Sequence, residues 1–115
     1  RPEVNFDWFL PGELSDGVQG PLYEVRSRLQ VMELTGGCTT APGGTCTLTV
    51  EYSLDQMQSW SDLFHASPTI GNGALTVTDG VQALSVLQAG TYLRFNLLSY
   101  AHVGGLSVRL RTREV

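Results

Sequence analysis

The side chains able to do chemistry are few and scattered. There are two histidines, His65 and His102, each in a stretch of loop composition. Nucleophilic catalysis needs a nucleophile beside a base and an orienting group. Neither histidine falls in a GxSxG, HExxH or P-loop setting, so a non-enzymatic protein without a cofactor is expected. Paired carboxylates serve glycoside hydrolysis, and Glu51, Asp55 and Asp62 lie close together in sequence. Asp55 and Asp62, however, flank a turn, where acids are favoured for backbone reasons. A calcium ion also takes carboxylate and carbonyl oxygens, but the spacing is not that of an EF-hand. Cys38 and Cys46 bracket the loop CTTAPGGTC. They either close a disulfide between two strands, which for so short a loop contributes about 2–3 kcal/mol, or sit as two buried free thiols. Two cysteines without a nearby histidine do not make a zinc shell, and no metal site is expected.

Two features remain as recognition chemistry. Arg109, Arg111 and Arg113 recur at every second position, on one face of a strand. If the strand 91–99 pairs antiparallel with 106–113, Arg94 joins the same face. Arginines in register repel unless acids interleave, and Glu24, Glu33 and Glu51 are the outward-facing candidates. Such a row is either a solvated, salt-bridged face or an interface with an acidic partner. A saccharide site on a β-sandwich wants aromatics on a solvent face or loop, for which Trp8, Tyr92 and Tyr100 qualify. Tyr100 stands beside His102.

The elements that must position these groups are strands. Cys46 to Leu63 alternates Leu48, Val50, Tyr52 and Leu54 against Thr47, Thr49, Glu51 and Ser53, turns at 55–59, and returns with Trp60 and Leu63. These six apolar residues are the expected core of a hairpin. Thr91–Ser99 places Leu93, Phe95 and Leu97 inward, and Leu106–Arg113 does so with Leu106, Val108 and Leu110. Leu22–Leu34 is the longest strand candidate. Its phase slips near Gln30, as a β-bulge or a change of sheet would cause. Thr35–Thr45, with Gly36-Gly37 and Pro42-Gly43-Gly44, reads as a loop, and 59–64 as a short return strand. Asp79-Gly80 reads as a hairpin turn between Ala74–Thr78 and Val81–Leu87. Seven to eight short strands with turn signals between them indicate an all-β fold: an antiparallel β-sandwich, jelly-roll-like.

The chain has 115 residues, one domain's worth. Residues 1–21 read as an irregular N-terminal arm and 22–115 as a single sandwich domain. Phe6, Trp8 and Phe9 crowd that arm and either pack on their own domain or dock into a neighbouring subunit. Arg1 in place of Met reads as a processed or trimmed product. A net charge of −4 argues against a general nucleic-acid binder, and no apolar run approaches the ~18 residues of a membrane span. All seven basic residues are arginine, which fits either a GC-rich genome or a need for stacking and bidentate pairing.

Three motifs in order carry a family resemblance: Ser53-Leu54-Asp55 followed by Trp60-Ser61-Asp62-Leu63; Tyr92-Leu93-Arg94-Phe95-Asn96; and Gly104-Gly105-Leu106-Ser107-Val108. Over about residues 29 to 112 the chain resembles small β-sandwich proteins of tailed-bacteriophage particles, which decorate the capsid or form the base of head fibres. It departs from them where Gln56-Met57-Gln58-Ser59 replaces the glycine that often follows the Asp. The Cys38–Cys46 pair and the aromatic arm are further departures. The resemblance implies a structural virion protein on the capsid surface. It would bind the major capsid protein and copies of itself, often as trimers. The contact residues expected are Phe6, Trp8 and Phe9 of the arm and Arg94, Arg109, Arg111 and Arg113. The alternatives are a carbohydrate-binding sandwich for host or surface attachment, and a module of a secreted protein stapled by Cys38–Cys46.

Overall fold

The structure, a computed structural model, describes residues 2–115; the expectation of a trimmed start rests on Arg1, which lies outside them. The described chain is all-β and antiparallel. Its strands are β1 (Glu3–Glu13), β2 (Gly17–Glu24), β3 (Leu29–Thr40), β4 (Cys46–Ser53), β5 (Ser61–Asp62), β6 (Phe64–Ala66), β7 (Thr69–Ile70), β8 (Val81–Gln82), β9 (Val86–Leu87), β10 (Tyr92–Ser99) and β11 (Gly104–Glu114). One sheet runs β1-β11-β3-β9 and the other β2-β10-β4-β5, with β7 pairing β4 and a separate β6-β8 ribbon. The long strands alternate between sheets, β1, β3 and β11 in one and β2, β4 and β10 in the other. That is jelly-roll order. The strand count exceeds the seven or eight expected because β5 to β9 are pieces of two or three residues.

The core lies between the sheets. Leu48 and Val50 of β4, Leu93, Phe95 and Leu97 of β10 and Leu106, Val108 and Leu110 of β11 are all buried, as their alternation requires. Leu63 is also buried, and Tyr52 packs half-buried against the same core. Two of the expected core residues are not in it. Leu54 falls past the end of β4, in the turn, and is exposed. Trp60 precedes β5 and lies on the outer face, under Arg94.

The largest correction concerns the expected arm: its described residues, 2–21, are not irregular. β1 pairs along its length with β11, from Glu3 opposite Arg113 to Glu13 opposite Gly104, and β2 pairs with β10. Val4, Phe6, Trp8 and Leu10 face in, while Glu3, Asn5, Asp7 and Phe9 face out. Each of β1 and β2 is an edge strand of its own sheet. Side chains close the seam between them: Trp8 Nε1 donates to the Pro21 carbonyl at 2.8 Å and Tyr23 Oη to the Asp7 carbonyl at 2.6 Å.

The phase slip in 22–34 has both suspected causes. The chain changes sheet between β2 and β3, across 25–28, and β3 carries a bulge at Met32, where Arg111 faces Glu33 but Thr112 faces Val31. The bulge's loosened edge is bonded by side chains: Gln82 Nε2 donates to the Met32 carbonyl at 2.9 Å and the Leu34 amide donates to Asp79 Oδ1 at 3.3 Å.

Three further expectations fail for tertiary reasons. Residues 35–40 continue β3, so the loop is only 41–45. Of the return strand 59–64, only β5 pairs with β4, and Phe64 already belongs to β6, which pairs with β8. Asp79-Gly80 is no hairpin turn: 74–78 bridges outward to Gly37 and Thr69, and 81–87 divides between β8 and β9.

Candidate functional site

Arg109, Arg111 and Arg113 do share the outer face of β11, but Arg94 is not with them. β10 pairs with β2 and β4, never with β11, so Arg94 projects from the opposite sheet. The row is interleaved with acids. Arg109 binds Asp7 bidentately, Nε to Oδ1 at 2.7 Å and Nη2 to Oδ2 at 3.2 Å. Arg111 grips Glu3 with two bonds, at 3.1 and 2.9 Å, and donates from Nη1 to Glu33 on its other side. Among the described residues Arg113 has only the Gln30 amide oxygen, at 3.3 Å from both Nε and Nη2. The hydrogen bond from Arg111 holds the Glu3 carboxyl below its ordinary value, and the bond to Asp7 raises Arg109. Fork-to-carboxylate pairing of this kind is what arginine does and lysine does not. Of the acids expected here, only Glu33 takes part; Glu51 pairs with Arg94, and Glu24 with Arg26 at 3.8 Å. Glu3 and Asp7 are partners that the sequence conceals, because Pro11-Gly12 and the crowded aromatics mask the strand that carries them.

The aromatic residues of β1 divide. Phe6 and Trp8 are buried in the protein's own core and make edge contacts with Tyr23, centroids 5.3 and 5.4 Å apart. They face no partner, because strand alternation turns them inward. Phe9 faces out on the same surface as Asp7 and Arg109 and is 66% exposed, opposite the small Ser107.

On the other sheet two of the three resemblance motifs, those around Trp60 and Arg94, meet in space. Arg94 donates from Nε to Glu51 at 2.8 Å while its guanidinium lies 4.1 Å from the Trp60 ring centre, a cation–π contact. The turn between them is held by Asp55, which accepts from the Ser53 and Ser59 hydroxyls and the Ser59 amide, at 2.8, 2.6 and 2.9 Å. The Met57 amide in turn donates to Ser53 Oγ at 2.8 Å. Gln56 and Met57 have φ of 58° and 69°, a region that glycine enters without strain. The missing glycine is thus offset by the Ser53 and Asp55 hydrogen bonds. Asp62 accepts from the Thr49 hydroxyl at 2.5 Å and the Phe64 amide at 2.9 Å. Each carboxylate proposed for hydrolysis or calcium is therefore engaged locally: Glu51 by Arg94, Asp55 and Asp62 by turn groups.

The bonds from Ser59 and Ser53 pull the Asp55 carboxyl down from 3.8 to about 2. A lowered folded-state value stabilises the fold above the unfolded value, and the benefit is lost as pH falls through the folded one. The expected result is a carboxyl carbon resonance of Asp55 that titrates with a midpoint near 2, moving up in Ser59→Ala. The turn should loosen between about pH 4 and pH 2. A normal midpoint in the wild type would mean that the turn bonds do not hold in solution.

Cys38 and Cys46 are free thiols on strands of opposite sheets. Cys38 points at the Ala74 and Leu75 carbonyls, 3.7 and 3.8 Å away. Burial pushes the Cys46 thiol up to about 11 and raises Cys38 as well. The thiolate is the reactive form. Cys46 is therefore expected to resist a disulfide reagent at pH 8 in the folded protein, with Cys38 reacting first and both reacting after denaturation. No free thiol after anaerobic denaturation would restore the disulfide.

Of the aromatics considered for sugar binding, Trp8 is in the core and Tyr92 is half-buried on β10. Tyr100 alone lines a cleft. This opens at the end of the sandwich where 12–14, 39–40 and 100–105 meet, with a volume of about 510 Å³. Tyr100 packs edge-to-face on His102, centroids 5.1 Å apart. The chain separation of these three segments hid the cleft from sequence; the Tyr100–His102 adjacency was its only local signal. No family model, curated protein or solved structure matches the chain.

Proposed function

We propose that the chain is a non-enzymatic structural protein of a phage particle, decorating or cementing the capsid or forming a head-fibre base. It docks on the major capsid protein and on copies of itself through the outer face of β1 and β11. The observation that carries this reading is the exposed Phe9 standing beside the ordered Arg109–Asp7 pair, with Arg111 and Arg113 further along the same face. Interfaces are enriched in aromatics and arginine, and their energy concentrates in a few such anchors. The acids on this face already neutralise Arg109 and Arg111, so complementarity rests on shape and on Phe9 rather than on a strong positive field. The jelly-roll topology is compatible with the sandwich that the resemblance implies. Fold alone does not assign a function.

The test is co-sedimentation with particles or capsid-protein shells. Removing β1 would destroy the fold, so point substitutions are needed. Phe9→Ser is expected to weaken attachment by about tenfold or more with an unchanged melting midpoint, and Arg113→Glu to weaken it further. Attachment of Phe9→Ser at wild-type strength would remove this face from the contact.

A further inference from the structure

The cleft at the loop end is built from parts that the docking face does not use. Three connections meet there, and hydrogen bonds tie them: the Tyr100 amide donates to Asp16 Oδ1 at 2.8 Å and the Gly43 amide to the Ala101 carbonyl at 2.9 Å. Between them Ala101 and His102 hold φ of 48° and 62°. Two successive non-glycine residues in this left-handed region are strained. The loop bonds hold them there, and the conformation sets the His102 ring edge-on to Tyr100. Gly104 and Gly105 line the cleft, and a side chain at Gly105 would place its first carbon 2.0 Å from Thr39 Oγ1, so that position requires glycine. Around it stand the Glu13 carboxylate, which makes no ion pair among the described residues, and the Thr39 and Thr40 hydroxyls.

We infer that this cleft is a binding site for a neutral pyranose sugar. A volume of about 510 Å³ lies within the range of small-molecule sites and accommodates one or two rings. The aromatic pair offers a surface for the apolar C–H face of a sugar. Glu13 accepts from two adjacent ring hydroxyls, and charge-assisted bonds of that type are the stronger ones. The Thr40 hydroxyl supplies a donor, while the Thr39 hydroxyl, which donates to the Gly104 carbonyl at 3.2 Å, is left to accept from a sugar hydroxyl. Among the described residues the lining holds one carboxylate and no arginine, with Asp16 close behind Tyr100, so the site repels carboxylated and phosphorylated sugars. Selection for neutral over acidic sugars is the specificity that follows.

The experiment is an amide-shift titration of labelled full-length protein. The probes are methyl glucoside, methyl galactoside and N-acetylglucosamine, with glucuronate and N-acetylneuraminate as acidic controls. Amides of 12–14, 39–40 and 100–105 are expected to move with at least one neutral sugar and to stay still with the acidic ones. Tyr100→Ala should weaken that binding about tenfold. Glu13→Gln, at an exposed position that leaves folding intact, should also weaken it, while Tyr92→Ala should not. The inference is overturned by the absence of cleft shifts with all three neutral sugars, by equal response to the acidic ones, or by wild-type binding in both Tyr100→Ala and Glu13→Gln. Particle attachment depends on Phe9, at a different surface, so either result stands without the other.

Discussion

Trp8→Ala is expected to destabilise the protein by about 3–5 kcal/mol from the cavity alone. The indole is fully buried and packs against Tyr23 and Phe95, with centroids at 5.4 and 6.0 Å. Its N–H also satisfies the Pro21 carbonyl across the seam between the sheets. Losing that donor adds about 1–3 kcal/mol for an unpaired carbonyl wherever water cannot reach it. Against a total of about 5–15 kcal/mol for a domain of this kind, the variant sits at the edge of folding. Denaturant melts of three variants separate the terms. Trp8→Phe retains most of the volume but not the donor and should lie between wild type and Trp8→Ala. Phe9→Ala, one residue on and facing water, should change stability by less than about 0.5 kcal/mol. If Trp8→Ala melted within about 1 kcal/mol of wild type, Trp8 would not be closing the sandwich.

Gly36→Ala is the second large effect. In the middle of β3 the added carbon would lie 2.2 Å from the Ser107 carbonyl oxygen and 2.9 Å from Val108 Cα. Both obstacles are main chain of the neighbouring β11, which cannot swing aside as a side-chain tip can. Overpacking in a core typically costs about 1–3 kcal/mol, and a collision with a fixed ladder belongs at or above the top of that range. Pushing β11 away would also disturb the Arg109–Thr35 and Arg111–Glu33 registers next to it. The same substitution at Gly43, where nothing lies within 4 Å, should be nearly silent. Comparable melts for the two alanine variants would show that β3 and β11 are not in this register.

Gly36 also illustrates what could and could not be read in advance. Gly36-Gly37 looked like loop because glycine-rich stretches usually are; here glycine is required because two backbones approach too closely for any side chain. β4, β10 and β11 were legible because apolar and polar residues alternate along them, although in β4 the polar Thr49 and Ser53 are buried as well. β1 carries an equally regular alternation in Val4, Phe6, Trp8 and Leu10, but Pro11-Gly12 and the crowding of three aromatics masked it. That single misreading removed Glu3 and Asp7 from the partners of the arginine row and turned core residues into contact candidates. Strands of two residues, such as β5, β7 and β9, have no period of their own and exist only through their neighbours. Pairing Arg94 with the β11 row failed for a related reason: β10 and β11, though consecutive in sequence, lie in opposite sheets. Tyr100 and His102 are visible as a local pair, but the Glu13, Thr39 and Thr40 walls come from segments far apart along the chain.

The antiparallel pairing of β1 with β11 has a mechanical consequence. Glu3 lies opposite Arg113 and the Glu114 amide bonds the Pro2 carbonyl at 3.1 Å. Residues 2 and 115 therefore leave the sandwich at one pole, and the cleft opens at the other. A load applied between these two residues meets the β1–β11 ladder end-on and breaks its bonds one after another, like a zip, rather than shearing them all together. The same load borne by a flat attachment of the β1 and β11 outer face would never reach the ladder. Seated on a shell the sandwich would be mechanically firm, and suspended between residues 2 and 115 it would peel, at forces that a single-molecule pulling experiment can compare directly.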